Sequence, residues 1–431
     1  MPVLLSGVHP FHWVQPLKLT ARSRLTEQTP PADNAIQISV LRSISEMDPG
    51  AWDALANPPQ QPFDPFIAHA FLLALEQSGS VSAETGWMPV HVIAKNTDGQ
   101  IVGAMPLYLK SHSQGEYVFD HGWAAAFEQA GGSYYPKLQS SIPFTPVAGP
   151  RLLSSDPTIC SALIDAVQEL TSRFGASSAH ITFAREQETK SFKQAKWMQR
   201  KGLQFHFPNP RYADYEEFLA TLTSRKRKAL RSERKKANQD VDIISFSGNQ
   251  LTSEHWDAFF GFYLDTGARK WGTPYLNRTF FELIGQSMAQ HILLILARRD
   301  GQWVAGALNF IGGDCLYGRY WGCTEHHDSL HFELCYHRAI EAAIAMKLSR
   351  VEAGAQGAHK MARGYLPVLT NSWHHLPDPG FADAVGRFLK EETFEMRREQ
   401  AACAALSPYR QSAAFTNEGD WLTVPQNDGE L

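Results

Sequence analysis

Two widely separated stretches of the chain show the same alternation of hydrophobic and polar positions around an Asp-Gly turn. In the first, PVHVIAKN and QIVGAMPLYLK flank Asp98-Gly99, and in the second, HILLILARR and QWVAGALNFIG flank Asp300-Gly301. β-Rich runs joined by Asp-Gly are typical of a hairpin. The shared letters DGQ, V and GA predict two copies of one domain, although such hairpins are also common in unrelated proteins.

Helical periodicity predicts most of the remaining elements. Apolar residues recur at helical spacing over residues 48–56 and in HAFLLALEQSG, PTICSALIDAVQELTSRFG, HWDAFFGFYLDTGARKWG, NRTFFELIGQSM and HFELCYHRAIEAAIAMKL. Strands are predicted in IQISVLRSI and SSAHITFA, and a short helix followed by a strand in KWMQRKGLQFHFPNPRY. Two stretches have no steady period. EYVFDHGWAAAFEQAGGSYYPKLQ is predicted as strand and long loop, and LTNSWHHLPDPG as a loop before a C-terminal helix.

The length of 431 residues predicts two domains of ordinary size. Residues 1–35 are predicted to be a poorly ordered extension, because proline and polar residues interrupt its apolar part, unlike a signal peptide. The first domain is predicted at 36–213, the second at 214–405 with a basic helix at its start, and a C-terminal tail at 406–431.

Composition and charge narrow the class of protein. The chain is 43% hydrophobic and 19% charged, which is typical of a soluble globular protein. Its net charge of −4 predicts no overall attraction to nucleic acid or membrane, and no apolar run reaches the ~20 residues of a membrane span. The five cysteines form no CxxC pair, which predicts reduced thiols in the cytoplasm.

One segment departs from this acidic balance. SRKRKALRSERKKA holds eight basic residues and one acid, and its residues favour a helix. Because like charges on a helix repel, we expect an anion such as phosphate to compensate them. The alternative is a solvated charged helix. The candidate phosphate-binding residues are Arg225, Arg227, Lys228 and Arg231.

The segment VEAGAQGAHKMARGYLP begins like a buried strand and continues as a glycine-rich loop with polar side chains. Small residues let the backbone approach a ligand closely, so the loop is a candidate pocket, the alternative being a solvated turn. The helix before it would begin at the same end of the fold. Together they offer Glu352, His359, His331 and Glu333 as catalytic candidates, and Gln356, Gly357, Lys360 and Arg363 as binding candidates.

Further ligand-binding candidates come from strands and loops rich in aromatic residues. In the second half they are Arg269, Trp271, Tyr317, Arg319 and Tyr320. In the first half they are Asp120, His121, Tyr135 and Lys137, for which packing in an aromatic loop is the alternative. Cys323, His326, His327, His331 and Cys335 lie close in sequence, but their spacing matches no known zinc motif, so no metal is predicted.

Several motifs in the same order resemble the FemAB-like peptidoglycan biosynthesis/recognition family. They are TGWMPVHVIAKNTDGQIVGAMPLYLK, YYPKLQSSIPFTPVAGPRLL, SRKRKALRSERKKA, HFELCYHRAIEAAI and GAQGAHKMARGYLP. The resemblance implies two tandem GNAT-like domains, each a mixed central sheet flanked by helices. It also implies transfer of an acyl or aminoacyl group to an amine of a small molecule or cell-wall precursor. Acyl-coenzyme A or aminoacyl-tRNA would be the co-substrate, with no tightly bound cofactor.

One position departs from the family pattern, GAQGEHK, because Ala358 stands where the family has an acid. If that acid is the catalytic base, Glu333, Glu352 or His359 must replace it in taking the amine proton. A cysteine nucleophile at Cys335 with His331 beside it is a further option. The alternative function is a non-catalytic module that binds a cell-wall precursor or a nucleic acid. The oligomeric state is not predicted.

Overall fold

The computed structural model describes residues 19–20, 36–270, 274–354 and 357–410. Predictions for most of the 1–35 extension, for Trp271 and Gln356, and for residues 411–431 lie outside the described residues, as do the side chains of Arg269 and Ala358. The strands are β1 (Leu19–Thr20), β2 (Gln37–Leu41), β3 (Trp87–Pro89), β4 (His91–Lys95), β5 (Ile101–Met105), β6 (Tyr108–Lys110), β7 (Lys137–Ser140), β8 (Ala179–Ala184), β9 (Met198–Pro208), β10 (Asp242–Phe246), β11 (Ile292–Arg299), β12 (Gln302–Ile311), β13 (Cys315–Cys323), β14 (Arg350–Glu352) and β15 (Leu366–His375). The helices are α1 (Pro49–Ala56), α2 (His69–Gln77), α3 (His121–Gln129), α4 (Pro157–Arg173), α5 (Thr189–Gln194), α6 (Tyr215–Thr221), α7 (Ser224–Ala237), α8 (Ser253–Lys270), α9 (Arg278–Ser287), α10 (Leu330–Phe332), α11 (Arg338–Ala345) and α12 (Pro379–Ala405).

Both predicted hairpins are confirmed. β4 pairs antiparallel with β5, and β11 pairs antiparallel with β12. Each turn contains a glycine with positive φ, 78° at Gly99 and 79° at Gly301. Only glycine adopts this conformation without steric cost, which is why the Asp-Gly pair locates both turns.

Among the described residues, eleven strands form one continuous sheet in the order β10-β11-β12-β13-β14-β9-β15-β8-β7-β6-β3, and β1-β2-β4-β5 form a second sheet. Two long strands at the centre are exchanged between the halves. β9, from the first half, pairs with β14, and β15, from the second half, pairs with β8. The expected mixed sheet flanked by helices is confirmed. Strands of both halves belong to this sheet.

The hydrophobic core also joins the two halves. Phe66, from the first half, packs against Phe310 and Tyr317 of the second, with ring centroids 5.0 and 5.1 Å apart. Phe71 packs against Phe280 in the same way, at 5.7 Å. Because both contacts lie within a single cluster of buried residues, the two halves form one packed unit.

The prediction of a loop over LTNSWHH is wrong, because this segment is β15. Polar residues occupy buried positions of this central strand, so it lacks the alternation that marks a half-buried strand. Asn371 is an example: its side chain accepts a hydrogen bond from Lys201 Nζ at 2.6 Å and donates to Glu186 Oε2 at 2.7 Å. A network of this kind forms only after residues distant in sequence have come together.

Two further predictions are corrected. The stretch predicted as strand and long loop contains α3, which buries only Trp123 and Ala124 and therefore shows no long apolar stripe. The helix predicted with β9 lies earlier, as α5, and β9 takes up residues 198–208.

The start of the predicted tail packs on the body of the protein. Thr223 N donates to Pro408 O at 3.1 Å, and Arg410 N donates to Thr221 O at 2.9 Å. The Tyr409 side chain is buried and its hydroxyl donates to Gly364 O at 2.7 Å. Residues 407–410 are therefore anchored next to the first residues of α7.

Low pH should reduce the free energy of unfolding through a contact between β8 and β15. In this contact the Nδ1 atoms of His180 and His374 are 2.7 Å apart. Burial lowers the pKa of His180 to about 3 and that of His374 well below its usual range. The unfolded chain therefore binds these protons more readily, and stability falls as the pH drops from about 6.5 towards 3, by up to about 1.4 kcal/mol per pH unit for each histidine.

Urea unfolding at several pH values would measure this slope. We expect His374→Asn to flatten it and His326→Asn, whose histidine is solvent-exposed, to leave it unchanged. Equal slopes in all three proteins would contradict the assignment.

Candidate active site

β13 and β14 are parallel neighbours that separate at their carboxyl ends. Three residue pairs join them, the last being Tyr317 with Glu352, after which β14 ends and β13 continues to Cys323. In the first half, the pairing of β7 with β8 also consists of three residue pairs and ends at Ser140 with Ile181, and Gly149, which follows β7 in the chain, forms a separate parallel bridge with Ala184 at the end of β8. Ligands of α/β sheets bind outside the carboxyl ends of strands, so the gap between β13 and β14 is the candidate site.

Arg319 lies at the mouth of this gap. A shift in the pairing of β12 with β13 leaves it without a strand partner, and its side chain is 1% exposed. Its Nη1 donates to Gly318 O at 3.0 Å and to Glu352 O at 3.4 Å, which joins the two separating strands. Within the described ranges, its Nε and Nη2 have no hydrogen-bond partner. A buried guanidinium with N–H groups that make no hydrogen bond is suited to bind an oxygen atom of a ligand.

Glu352, at the end of β14, is held as a carboxylate. Arg350 Nε donates to its Oε1 at 3.1 Å, and Arg319 Nη2 lies 3.6 Å from its Oε2. Burial raises the pKa of Glu352, but His206 and the two arginines outweigh burial and the net pKa is lowered. A carboxylate stabilised in this way is a weak base, which argues against Glu352 as the catalytic group.

Glu333 has the same character. Its side chain is fully buried and accepts hydrogen bonds from Arg234 Nη2 and Arg338 Nε, each at 2.9 Å. Burial raises the pKa of Glu333, but the contacts from Arg234 lower it further than burial raises it. Glu333 therefore anchors the basic helix α7 to the turn after α10.

His359 has the properties of a base. It lies in a 3₁₀ turn, Ala358–Arg363, and its Nε2 is 2.9 Å from the hydroxyl of Tyr336. Burial lowers the pKa of His359, and Arg363 and Lys360 lower it further, so the imidazole is neutral at pH 7. His331 packs nearby, its ring centroid 6.3 Å from that of His359.

Tyr336 was not found by sequence reasoning. It lies in a π-helical turn, Glu333–His337, between α10 and α11. π-Turns occur often at functional sites, but a tyrosine in an amphipathic helical segment carries no signal that separates it from core residues. The same holds for His206, which faces Glu352 from β9.

Lys360 lies beside the gap on the same loop. Its side chain is buried, and Nζ donates to Gly354 O at 2.8 Å. Burial, followed by the charge of Arg319, lowers the pKa of Lys360 to about 7. A substantial fraction of this amine is therefore neutral at physiological pH, so Lys360 can gain or lose a proton at that pH.

Arg363 ties the loop to α7. Its Nε and Nη2 donate to the two oxygens of Glu233 at 2.9 and 2.5 Å, and its guanidinium lies 3.4 Å from the ring centre of Phe332. Arg231 pairs with Glu216 on the surface. The helix thus turns Glu233 and Arg234 inward, and of the other basic candidates Arg225 and Lys228 are exposed and Arg227 is half-buried.

The remaining candidates have separate locations. Tyr317 is buried against Phe66, and Tyr320 donates to Phe144 O at 3.1 Å. The first-half candidates lie around β7, which is four strand positions, or about 19 Å, from β14.

Around β7, Lys137 is fully buried and forms ion pairs with Asp120 and Glu116. The hydroxyl of Tyr135 contacts Ser113, and His121 stacks on Phe119. Across the part of the chain that the structure describes, no group of three His, Cys, Asp or Glu residues is placed to hold a metal.

Adding a methyl group to Gly357 should disturb His359. The φ of Gly357 is +119°, and a Cβ there would lie 2.4 Å from His359 Cε1. We expect Gly357→Ala to move the imidazole away from Tyr336 and to lower transfer activity about tenfold or more. Gly354→Ala is the matched control, because Gly354 also has positive φ but a Cβ there meets no atom within 4 Å. Equal activity in both variants would mean that the position of His359 does not matter for the reaction.

The mixed sheet flanked by helices defines a protein with two GNAT-like halves. The family model for FemAB-like proteins, described as peptidoglycan biosynthesis/recognition, matches residues 43–411. The chain therefore belongs to the FemAB-like family.

Solved structures share the fold at low sequence identity. The C-terminal domain of a putative lysylphosphatidylglycerol synthetase from Agrobacterium fabrum is 9% identical with a TM-score of 0.50, and the match covers 80% of this chain and 95% of that one. FemX is 12% identical (TM-score 0.49; 79% and 98% covered). A tandem GNAT protein from the clavulanic acid pathway is 12% identical (TM-score 0.43; 80% and 99% covered). A search of curated proteins gave no match.

Proposed function

We propose that the protein is an N-acyltransferase that moves an acyl or aminoacyl group from a phosphate-bearing donor to an amine. The observation that carries this proposal is the gap between β13 and β14. There the neutral His359, the partly neutral Lys360 and two nitrogens of Arg319 without hydrogen-bond partners lie on adjoining elements. Family membership favours an amine acceptor in peptidoglycan synthesis.

In the proposed reaction the acceptor amine attacks the carbonyl carbon of the acyl group. His359 takes the proton that the amine nitrogen loses, directly or through a water molecule, and Tyr336 orients the imidazole. The N–H groups of Arg319 stabilise the negative charge that develops on the carbonyl oxygen. The bond to the donor then breaks, and the leaving thiolate or ribose oxygen receives a proton, for which Lys360 is the proposed source.

The proposed site for the donor phosphates is the exposed face of α7. Arg225, Arg227 and Lys228 have no ion-pair partner among the described residues, whereas Glu233 and Arg234 hold the helix beside the gap. Donors with phosphates on one end and a reactive acyl group on the other fit this arrangement. Acyl-coenzyme A and aminoacyl-tRNA are the two donor classes with that chemistry.

The proposed compartment is the cytoplasm, where both donors are made. All five cysteines lie within the described residues, and no disulfide joins them there, in agreement with a reducing compartment. Helices in the described ranges are too short or too polar to cross a membrane.

Isothermal titration with acetyl-coenzyme A and with aminoacyl-tRNA tests the donor site. Replacing Arg225, Arg227 and Lys228 together by glutamine should weaken binding of the true donor. If the donor is tRNA, the slope of log K against log salt should also fall by about 2, because three phosphate contacts are lost.

The control variant carries glutamine at three exposed lysines elsewhere, Lys190, Lys193 and Lys390, and should bind as the unaltered protein does. Binding of a muropeptide without binding of either donor would instead support the recognition module. Equal loss in both triple variants would contradict a specific role for α7.

A further inference from the structure

The loop that carries His359 has little regular structure of its own. Its only regular part among the described residues is the 3₁₀ turn Ala358–Arg363. Gly354, Gly357 and Gly364 all have positive φ, and glycine loses more conformational freedom on ordering than any other residue. The position of the imidazole therefore depends on contacts that join the loop to other elements.

Two contacts among the described residues fix His359, one at its side chain and one at its backbone. The Tyr336 hydroxyl lies 2.9 Å from Nε2 of the ring. Arg363 Nη1 donates to the His359 carbonyl oxygen at 2.7 Å, and the same guanidinium donates to both carboxylate oxygens of Glu233. The side chain is thus held from the π-helical turn, and the backbone is held from α7.

His337 joins these two contacts. It follows Tyr336 in the chain and is the last residue of the π-helical turn. Neighbouring residues of a helical turn point roughly 100° apart, so Tyr336 reaches the loop while His337 reaches α7. The His337 side chain is fully buried, and its Nε2 lies 2.8 Å from Glu233 Oε1. A closed ring of contacts therefore runs through Tyr336, His359, Arg363, Glu233 and His337.

The partners of His337 determine which ring nitrogen carries a hydrogen. Burial raises the pKa of Glu233, but hydrogen bonds from His337 and Arg363 lower it by more, so Glu233 is a carboxylate that can only accept. Nε2 of His337 is therefore the donor. On the other side of the ring, Nδ1 lies 2.6 Å from the hydroxyl of Tyr215, on α6. His337 is thus fixed in orientation by a contact at each nitrogen.

We propose that His337 is a positioning residue, which holds Glu233 and through it Arg363, and so fixes the backbone of His359 while Tyr336 fixes the ring. Because the His337 side chain is fully buried, it acts through these neighbours. The contacts alone carry the positioning. Its effect on the transfer rate rests on the proposed function, in which His359 is the base, and displacing a reacting group by about 1 Å can cost about 100-fold in rate.

NMR titration of the histidine rings tests the positioning without any substrate. The chain has 17 histidines, so the signal of His359 is assigned by its absence in His359→Gln. In His337→Asn the pKa of His359 should rise towards its ordinary value of 6.5, because burial lowers it in the unaltered protein and a released loop exposes the ring. His337→Gln should leave this pKa unchanged, since the amide nitrogen of glutamine takes the place of Nε2 as the donor to Glu233.

His69→Asn is the matched control for the loss of a buried histidine. His69 lies on α2 in the first half, is 4% exposed, and its Nε2 is 3.0 Å from Ile44 O. This variant should lose stability but keep the pKa of His359. An unshifted His359 in both asparagine variants would refute the positioning. If His337→Asn does not fold, Tyr215→Phe removes only the hydroxyl at Nδ1 and should give a smaller shift in the same direction; no shift there would refute the positioning as well.

Transfer kinetics test the consequence for the reaction. His337→Asn should lower kcat about tenfold or more with little change in the KM of the acceptor, and His337→Gln should restore most of the loss. A pKa shift of His359 with unchanged kcat would refute the role of His337 in the reaction. A pKa shift with no transfer in any of the proteins would support the positioning and count against the proposed function.

The route through Glu233 has its own test. When Glu233→Gln is already present, adding His337→Asn should cause little further loss of kcat and little further shift in the pKa of His359. Changes that act along one route are not additive, whereas independent changes add. Full addition of the two effects would overturn the assignment of Glu233 as the link between His337 and the loop.

Discussion

Replacing Arg234 by methionine should destabilise the protein by about 1–3 kcal/mol, because the buried carboxylate of Glu333 then keeps only Arg338 as its ionic partner. Glu333 is fully buried and depends on Arg234 and Arg338 for its hydrogen bonds. Methionine retains much of the length of arginine but removes the charge. The decrease in the free energy of unfolding therefore measures the contribution of the ion pair between Arg234 and Glu333 to stability. Denaturant unfolding followed by fluorescence gives the free energy of unfolding for each variant.

Arg231→Met is the matched control on the same helix. Arg231 pairs with Glu216, and more than half of each side chain is exposed, so its loss should cost less than about 1 kcal/mol. Similar losses in both variants would mean that Glu333 is not held by α7. Glu333→Gln adds a second readout, since a catalytic base would lower activity at unchanged stability, whereas an anchor lowers stability.

His359→Ala should lower kcat/KM by about 10²- to 10⁴-fold, the range expected for a general base, with little change in the free energy of unfolding. His359 is exposed on one side, so its removal leaves no buried cavity. Transfer from the donor identified by titration, measured at saturating acceptor, gives the comparison. His326→Ala is the control, because His326 is 89% exposed and pairs only with Asp328 among the described residues.

The pH dependence of the transfer rate identifies the group that acts as the base. In the proposed reaction neutral His359 is the active form. Because burial lowers the pKa of His359 from its ordinary value of 6.5, the rate should fall in acid, at pH values below that ordinary value. The same acid limb should be absent in His359→Gln. A limb near pH 7 that remains in His359→Gln and vanishes in Lys360→Met would assign the base to Lys360, whose pKa is about 7.

Local patterns determined much of the fold. The Asp-Gly turns predict both hairpins because the turn needs positive φ at glycine, and the apolar spacing of α4 and α9 predicts helices that bury one face. The basic helix follows from residue preference alone. These features depend on residues within a few positions of each other, so the chain carries them without tertiary context.

The loop after β14 was also located from sequence, through its glycines and clustered polar residues. What it does depended on contacts across the fold. Glu333 and Glu352 are equally plausible bases in the sequence. Arg234, 99 positions away, pairs with Glu333, and Arg319, 33 positions away, lies 3.6 Å from Glu352. Arg363 likewise became an anchor because Glu233 meets it.

Tertiary structure alone decided three things. It made β15 a strand, because the polar side chains that break its alternation find partners on β8 and β9. It exchanged β9 and β15 between the halves, a pairing that no local pattern encodes. It also brought Tyr336 to His359, 23 positions apart, across the open end of β14. Hydrophobic period and turn chemistry act over short distances, whereas strand order and pKa depend on which distant residues share a buried space.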